Sequence, residues 1–188
     1  MKAETEFDHK GYRIRICQDS SPQSPECWGD DQQFLVYDHR DFYVHRAGFS
    51  PQEVYVAWKQ GRKFKGYHAF PVYAYIHSGV SLSLGKSEYP FTDPWDVSFK
   101  GFALIRQAKG QKMAEGLIES WNAYLSGNVY GYQVVDAMGE EMDSCWGFYG
   151  NEQGFGSSGV VEEAMALIDA YLDNPETGAD QGRKKLTL

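Results

Sequence analysis

The sequence predicts an α+β domain: a mainly antiparallel sheet with about three helices packed against it. Short apolar or alternating runs recur along the chain and meet through short turns, and three longer stretches carry helical spacing. No internal repeat, low-complexity tract or linker separates them. The expected organisation is therefore one domain over 1–176, followed by a flexible basic tail over 177–188.

Tyr12-Arg-Ile-Arg-Ile-Cys17 alternates and reads as a first strand. The Pro- and Ser-rich segment from Asp19 to Asp31 reads as a loop, and Gln33–Tyr37 as a second strand that runs into the charged turn Asp38–Asp41. Ser50-Pro51-Gln52-Glu53 has the makings of a helix start, with a capping Ser, a Pro in the first turn and an acid three residues on. That helix should reach about Lys59 and stop near Gly61. Phe70–Ile76 and Val80–Leu84 form a hairpin signal across His77-Ser78-Gly79, and Phe99–Ile105 reads as a further strand. Over Gln107–Leu125, Met113, Leu117, Ile118, Trp121, Tyr124 and Leu125 line one helical face, with Gly127 as the stop. Val129–Val135 and Met142–Tyr149 suggest a second hairpin across Asp136–Glu140. Ser157-Ser158 introduces a last helix, Val160–Leu172.

With 42% hydrophobic and 23% charged residues the chain can bury a proper core. The N-terminal segment has no apolar signal region and no window approaches 18 apolar residues, so the expectation is a cytoplasmic protein that does not engage a membrane. Cys17, Cys27 and Cys145 are odd in number and widely spaced, with no CxxC pair, which suits a reducing compartment and argues against a structural zinc site. No phosphate-binding glycine loop occurs, and no cofactor is expected.

The net charge of -8 is unevenly placed. Met1–Gln111 holds 14 Lys/Arg against 13 Asp/Glu, whereas Lys112–Asp180 holds one Lys against 13 acids. Such a field favours basic surfaces and works against nucleic acid, although solubility alone also accounts for an acidic protein. Aromatic residues reach 15%, which serves a Tyr-rich sheet core as well as partner anchors.

Three constellations could carry chemistry. Cys145 with His77, oriented by Asp143 or Asp96, has the composition of a thiolate nucleophile and its base, though no nucleophile signature surrounds the Cys and a small buried strand Cys explains it as well. Strict alternation would place Met142, Ser144, Trp146 and Phe148 on one strand face and Asp143, Cys145, Gly147 and Tyr149 on the other. Asp93, Asp96, Asp143 and Glu140/Glu141 are the carboxylates available for a hard cation, without EF-hand or HExxH spacing, so no metal site is expected. Lys59-Gln-Gly-Arg-Lys-Phe-Lys65, with Tyr67, interleaves cations and rings as single-strand binders do, and equally as an exposed helix end does.

Three blocks, in order over about residues 12 to 150, resemble a family of uncharacterised proteins carried by phages, prophages and plasmids. They are Asp19-Ser-Ser-Pro-Gln-Ser-Pro-Glu-Cys-Trp-Gly-Asp30; His77-Ser-Gly-Val-Ser-Leu-Ser-Leu84 followed by Pro94-Trp95-Asp96; and Tyr124-Leu-Ser-Gly-Asn-Val-Tyr-Gly-Tyr132 followed by Glu141-Met-Asp-Ser-Cys-Trp-Gly-Phe-Tyr149. The chain departs from that family at Asp93, where the family has Cys, and at Val97-Ser98, where it often has Ser-Gly. The resemblance implies an accessory protein of a mobile element working in a bacterial cytoplasm.

Together these features give the expectation of a non-enzymatic, acidic inhibitor that binds a basic, nucleic-acid-binding host defence protein, such as a CRISPR effector or a restriction enzyme, by competing with nucleic acid. The partner-facing residues expected are Asp136, Glu140, Glu141, Asp143, Trp146, Tyr149, Glu162, Glu163, Asp169 and Asp173. The alternatives are an enzyme using Cys145 and His77, and a single-stranded nucleic-acid binder using Lys59–Lys65.

Overall fold

The computed structural model describes residues 3–28, 31–76, 78–85, 97–107, 110–151 and 154–173, with side chains of 28 and 97–100 left aside. His77, Asp93, Asp96 and the tail over 177–188 lie outside the described residues. The expected class holds, with three helices and antiparallel strands, but the strands divide between two sheets rather than one. The residues gather into two compact units: one drawn from Met1–Pro22 and Gly127–Leu188, the other from Gln23–Ser126.

The first unit holds a four-stranded sheet in the order β1-β2-β8-β9, where β1 is Ala3–His9, β2 Tyr12–Gln18, β8 Val129–Val135 and β9 Glu141–Tyr149. All its pairings are antiparallel. The helix of this unit, α3 (Val160–Asp173), buries Val160, Ala164 and Ile168 against Ile14, Ile16, Tyr130, Tyr132 and Val134, with Phe7, Met142 and Phe148 at the margin. Strand β1 is absent from the sequence reading because its residues are mostly polar, and its turn is Lys10-Gly11 rather than a familiar Asn-Gly. Its place in the sheet is held by register: Glu6 opposes Arg15 and Asp8 opposes Arg13, and both pairs form ion pairs at 3.2 Å.

The second unit holds a five-stranded sheet in the order β4-β3-β7-β5-β6. Its strands are β3 (Gln33–His39), β4 (Phe42–Val44), β5 (His68–Ile76), β6 (Val80–Leu84) and β7 (Val97–Ile105). Here both faces are covered. Leu35, Tyr37, Val72, Ala74, Ala103 and Ile105 meet the stripe of α2 (Gln111–Ser126), while Phe34, Val36, Phe102 and Leu104 meet Val54 of α1 (Pro51–Lys59) and the ring of Tyr67. Burial on both sides is why Phe34–Tyr37 and Phe102–Ile105 are continuous apolar runs. Strand β4, at three residues, is too short to show a period.

The helix ends follow local chemistry. Pro51 opens α1 after Ser50, but the Ser50 hydroxyl makes no capping bond, so the expected capping interaction is not formed. Helix α2 begins at Gln111, four residues after the expected Gln107 and two before the first residue of its apolar stripe, and Gly127 at φ 76° follows its end. Before α3, the Ser158 Oγ accepts the Val160 N–H at 3.3 Å.

Candidate functional site

Strand β9 carries most of the residues singled out in the sequence, and two bulges set where they point. Gly131 opposes Trp146 but Tyr130 opposes Phe148, so Gly147, at φ 90°, is an extra residue in the strand. A second irregularity lets Met142 stand between Glu141 and Asp143, which pair with Val135 and Val134. Strict alternation therefore fails. Asp143, Cys145 and Phe148 share the face of Val134, Tyr132 and Tyr130, which is the α3 face, while Ser144, Trp146 and Tyr149 share the other. Gly147 cannot keep a normal alternation because its left-handed backbone turns the strand there.

This geometry explains the most specific block of the sequence. A Cβ on Gly131 would fall 2.2 Å from the Trp146 ring and 2.6 Å from the Cys145 carbonyl oxygen, so the indole lies directly over the glycine. Val-Tyr-Gly-Tyr and Asp-Ser-Cys-Trp-Gly-Phe are thus two halves of one packing arrangement.

Cys145 is exposed, which corrects the reading of it as a buried strand residue; it faces the α3 side of an edge strand. Among the described residues its thiol's hydrogen-bond contact is the Trp146 carbonyl oxygen at 4.0 Å. His77 lies outside the described residues, so the Cys145–His77 pair is not assembled within them. Cys17 is buried, and burial pushes its thiol up from the ordinary value. Among the described residues no group of three or more His, Cys, Asp or Glu is placed to hold a metal ion.

The acidic candidates separate into two kinds. Asp136 closes the β8–β9 turn, its Oδ1 accepting the N–H groups of Met138 at 2.8 Å and Glu140 at 2.9 Å. Asp169 receives His9 Nε2 at 2.7 Å and Lys10 Nζ at 2.9 Å, and these bonds hold its carboxyl below the ordinary range. Glu141 accepts the Gln133 amide at 3.1 Å. By contrast, Glu140, Asp143, Glu162, Glu163 and Asp173 are exposed and form no ion pair among the described residues. The Tyr132 hydroxyl is pushed up to about 12, first by burial and then by the charges of Asp143, Cys145 and Glu163. Asp143 on β9 and Glu163 on α3 thus both bear on Tyr132 electrostatically.

Counted over the two sequence ranges, the first unit has 7 Lys/Arg against 15 Asp/Glu, and the second 11 against 11. The first unit carries the whole net charge of -8. Lys59–Lys65 lies in the second, at the end of α1 and the turn after it. Among the described residues no helix is long and apolar enough to cross a membrane. No protein-family model, curated protein or solved structure matches this chain.

Proposed function

We propose that the chain is a non-enzymatic binding protein whose first unit presents carboxylates to a basic, nucleic-acid-binding protein. The partner class that best fits is a host defence enzyme of the CRISPR-effector or restriction type, with the chain acting as an accessory inhibitor of a mobile element in the bacterial cytoplasm. The observation that carries the reading is the set of exposed carboxylates on β9, on α3 and at the turn before β9 (Glu140, Asp143, Glu162, Glu163 and Asp173) that form no ion pair among the described residues. In a basic channel such carboxylates stand where phosphates would lie, and the complementarity would govern the rate and specificity of docking. Trp146 and Tyr149 belong to the opposite sheet face, so the acids on the α3 side, rather than these rings, would lead the contact.

The test is competition. The full chain is titrated into restriction enzymes and CRISPR effectors holding a labelled duplex, and release is followed by fluorescence anisotropy. Displacement that weakens with salt and is lost in Asp143→Asn/Glu162→Gln/Glu163→Gln/Asp173→Asn supports the proposal. Displacement that survives those four substitutions, or none from any enzyme at low salt, would refute it.

A further inference from the structure

Two turns of the chain have the same backbone and opposite circumstances. In His9-Lys10-Gly11-Tyr12 and in Phe64-Lys65-Gly66-Tyr67, a lysine and a glycine both take positive φ, 48° and 89° in the first and 49° and 87° in the second. Asn-Gly or Gly-Gly suits such a turn, and a lysine there is strained. Lys10 is answered by Asp169 at 2.9 Å. Lys65 has no carboxylate among the described residues; its Nζ donates to the Gly48 carbonyl oxygen and stands 5.0 Å and 5.5 Å from the rings of Phe49 and Phe64.

Its neighbours repeat the pattern. Lys59 stands 5.4 Å from the Trp58 ring, and Arg62 bonds the Gln60 side chain. Lys59, Arg62, Lys63 and Lys65 are all exposed, and none forms an ion pair among the described residues. Arg13, Arg15, Arg40 and Arg46 each hold a carboxylate instead. The acidity that counted against phosphate binding in the sequence belongs to the other unit, while the unit carrying this turn has no net charge.

We propose that the turn from Lys59 to Lys65 is a binding surface for single-stranded nucleic acid. Four cations within seven residues, none in an ion pair among the described residues, suit consecutive phosphates; the rings of Trp58 and Phe64, half-buried against Phe102 and Phe49 with Lys59 and Lys65 over them, become aromatic surface for unpaired bases where those lysines turn to phosphate. A duplex keeps its bases stacked and would use the cations alone, which is why the rings favour a single strand. The inference rests on the second unit and stands or falls separately from the carboxylates of the first.

The experiment is anisotropy of a fluorescein-labelled oligothymidylate of about 12 nucleotides with the full chain, at salt from about 50 to 200 mM. Binding is expected at low salt. Lys59→Ala/Arg62→Ala/Lys63→Ala should weaken it at least tenfold and reduce the log–log salt slope by roughly 2, at about 0.7 per lost phosphate contact. Lys65→Asn, which keeps a residue tolerant of positive φ, should weaken it less, while Lys10→Asn and Glu162→Gln/Glu163→Gln should leave it tight. Absent binding at low salt, equal binding by the triple variant, or equal affinity for a duplex would each overturn the proposal. So would self-association in sedimentation that the triple variant abolishes without any oligonucleotide binding, since the occupant would then be a second copy of the chain.

Discussion

The two units solve the same packing problem with different charge. In the second, a five-stranded sheet is covered on both faces by α1 and α2, and its 11 cations balance 11 acids. In the first, a four-stranded sheet packs one helix on the face of Tyr130 and Tyr132, and 15 acids face 7 cations. Several acids of the first unit are already committed, Glu6 and Asp8 to arginines and Asp169 to His9 and Lys10. Asp136 and Glu141 are committed to hydrogen bonds, whereas Glu140, Asp143, Glu162, Glu163 and Asp173 form no ion pair among the described residues. Ion pairing thus separates residues that hold the fold from residues free to meet something else, in a way that composition cannot.

The largest expected effects come from two glycines, Gly131 and Gly101, that lie against rings. Gly131→Ala would drive a methyl into Trp146 and the Cys145 carbonyl, and Gly101→Ala would place one 2.1 Å from the Tyr37 ring and 2.6 Å from the Val36 carbonyl oxygen. Because backbone must shift in both, each should destabilise by about 3 kcal/mol. Hydrogen exchange should show each loss concentrated in the sheet that carries the substitution. Equal loss of protection in both sheets would break the division into two units.

Next in size is the outer edge of the second sheet. Strand β6 is an edge strand, yet Asn122 of α2 accepts the Leu82 N–H at 2.7 Å and donates to its carbonyl oxygen at 2.9 Å, so one side-chain amide stands in for a neighbouring strand. Asn122→Ala should cost about 1–2 kcal/mol in denaturant unfolding. It should also introduce concentration-dependent association, visible by sedimentation. Strand β9 blunts its edge differently, with bulges at Met142 and Gly147.

How much of this was legible follows from these particulars. The three helices and both hairpins could be read, because a continuous apolar run or a helical stripe survives in the sequence when a sheet is buried on both faces or a helix packs on one. Strand β1 could not, since its stability lies in cross-strand pairs with Arg13 and Arg15 rather than in apolar period. The faces of β9 were misassigned because one bulge inverts every later residue, and only the pairing with β8 reveals it; Gly147 was the available signal. Cys145 keeps the face that alternation gives it beside Asp143; what the sequence does not show is that the residue is exposed there, on an edge strand. The acidic polarity was visible along the chain, but its true boundary was not, because β1 and β2 join β8 and β9 in one sheet.

Two pH dependences sharpen the picture of the first unit. With its hydroxyl pushed up to about 12 from an ordinary 10.0, Tyr132 contributes stability that is fully present below the ordinary value and lost as pH rises through the folded one. Wild-type stability should therefore fall more steeply than that of Tyr132→Phe across this range. Asp143→Asn/Glu163→Gln should move the Tyr132 titration part of the way back, because burial remains. If it does not move, the two carboxylates do not bear on Tyr132. The smallest effect concerns Asp169. Its carboxyl is held down, so its contribution is present above the ordinary value of 3.8 and lost as pH falls through the folded value. Asp169→Asn should flatten that acid-side loss in thermal unfolding.

The most direct measurement sets the two units against each other in one assay. The wild type, the four-carboxylate variant of the first unit and the Lys59→Ala/Arg62→Ala/Lys63→Ala variant of the second are compared for displacing a labelled duplex from a basic restriction enzyme at low salt, since the second unit is expected to favour single strands. Displacement should vanish with the carboxylates and persist without the three cations. Loss with the cations and survival without the carboxylates would contradict the central claim.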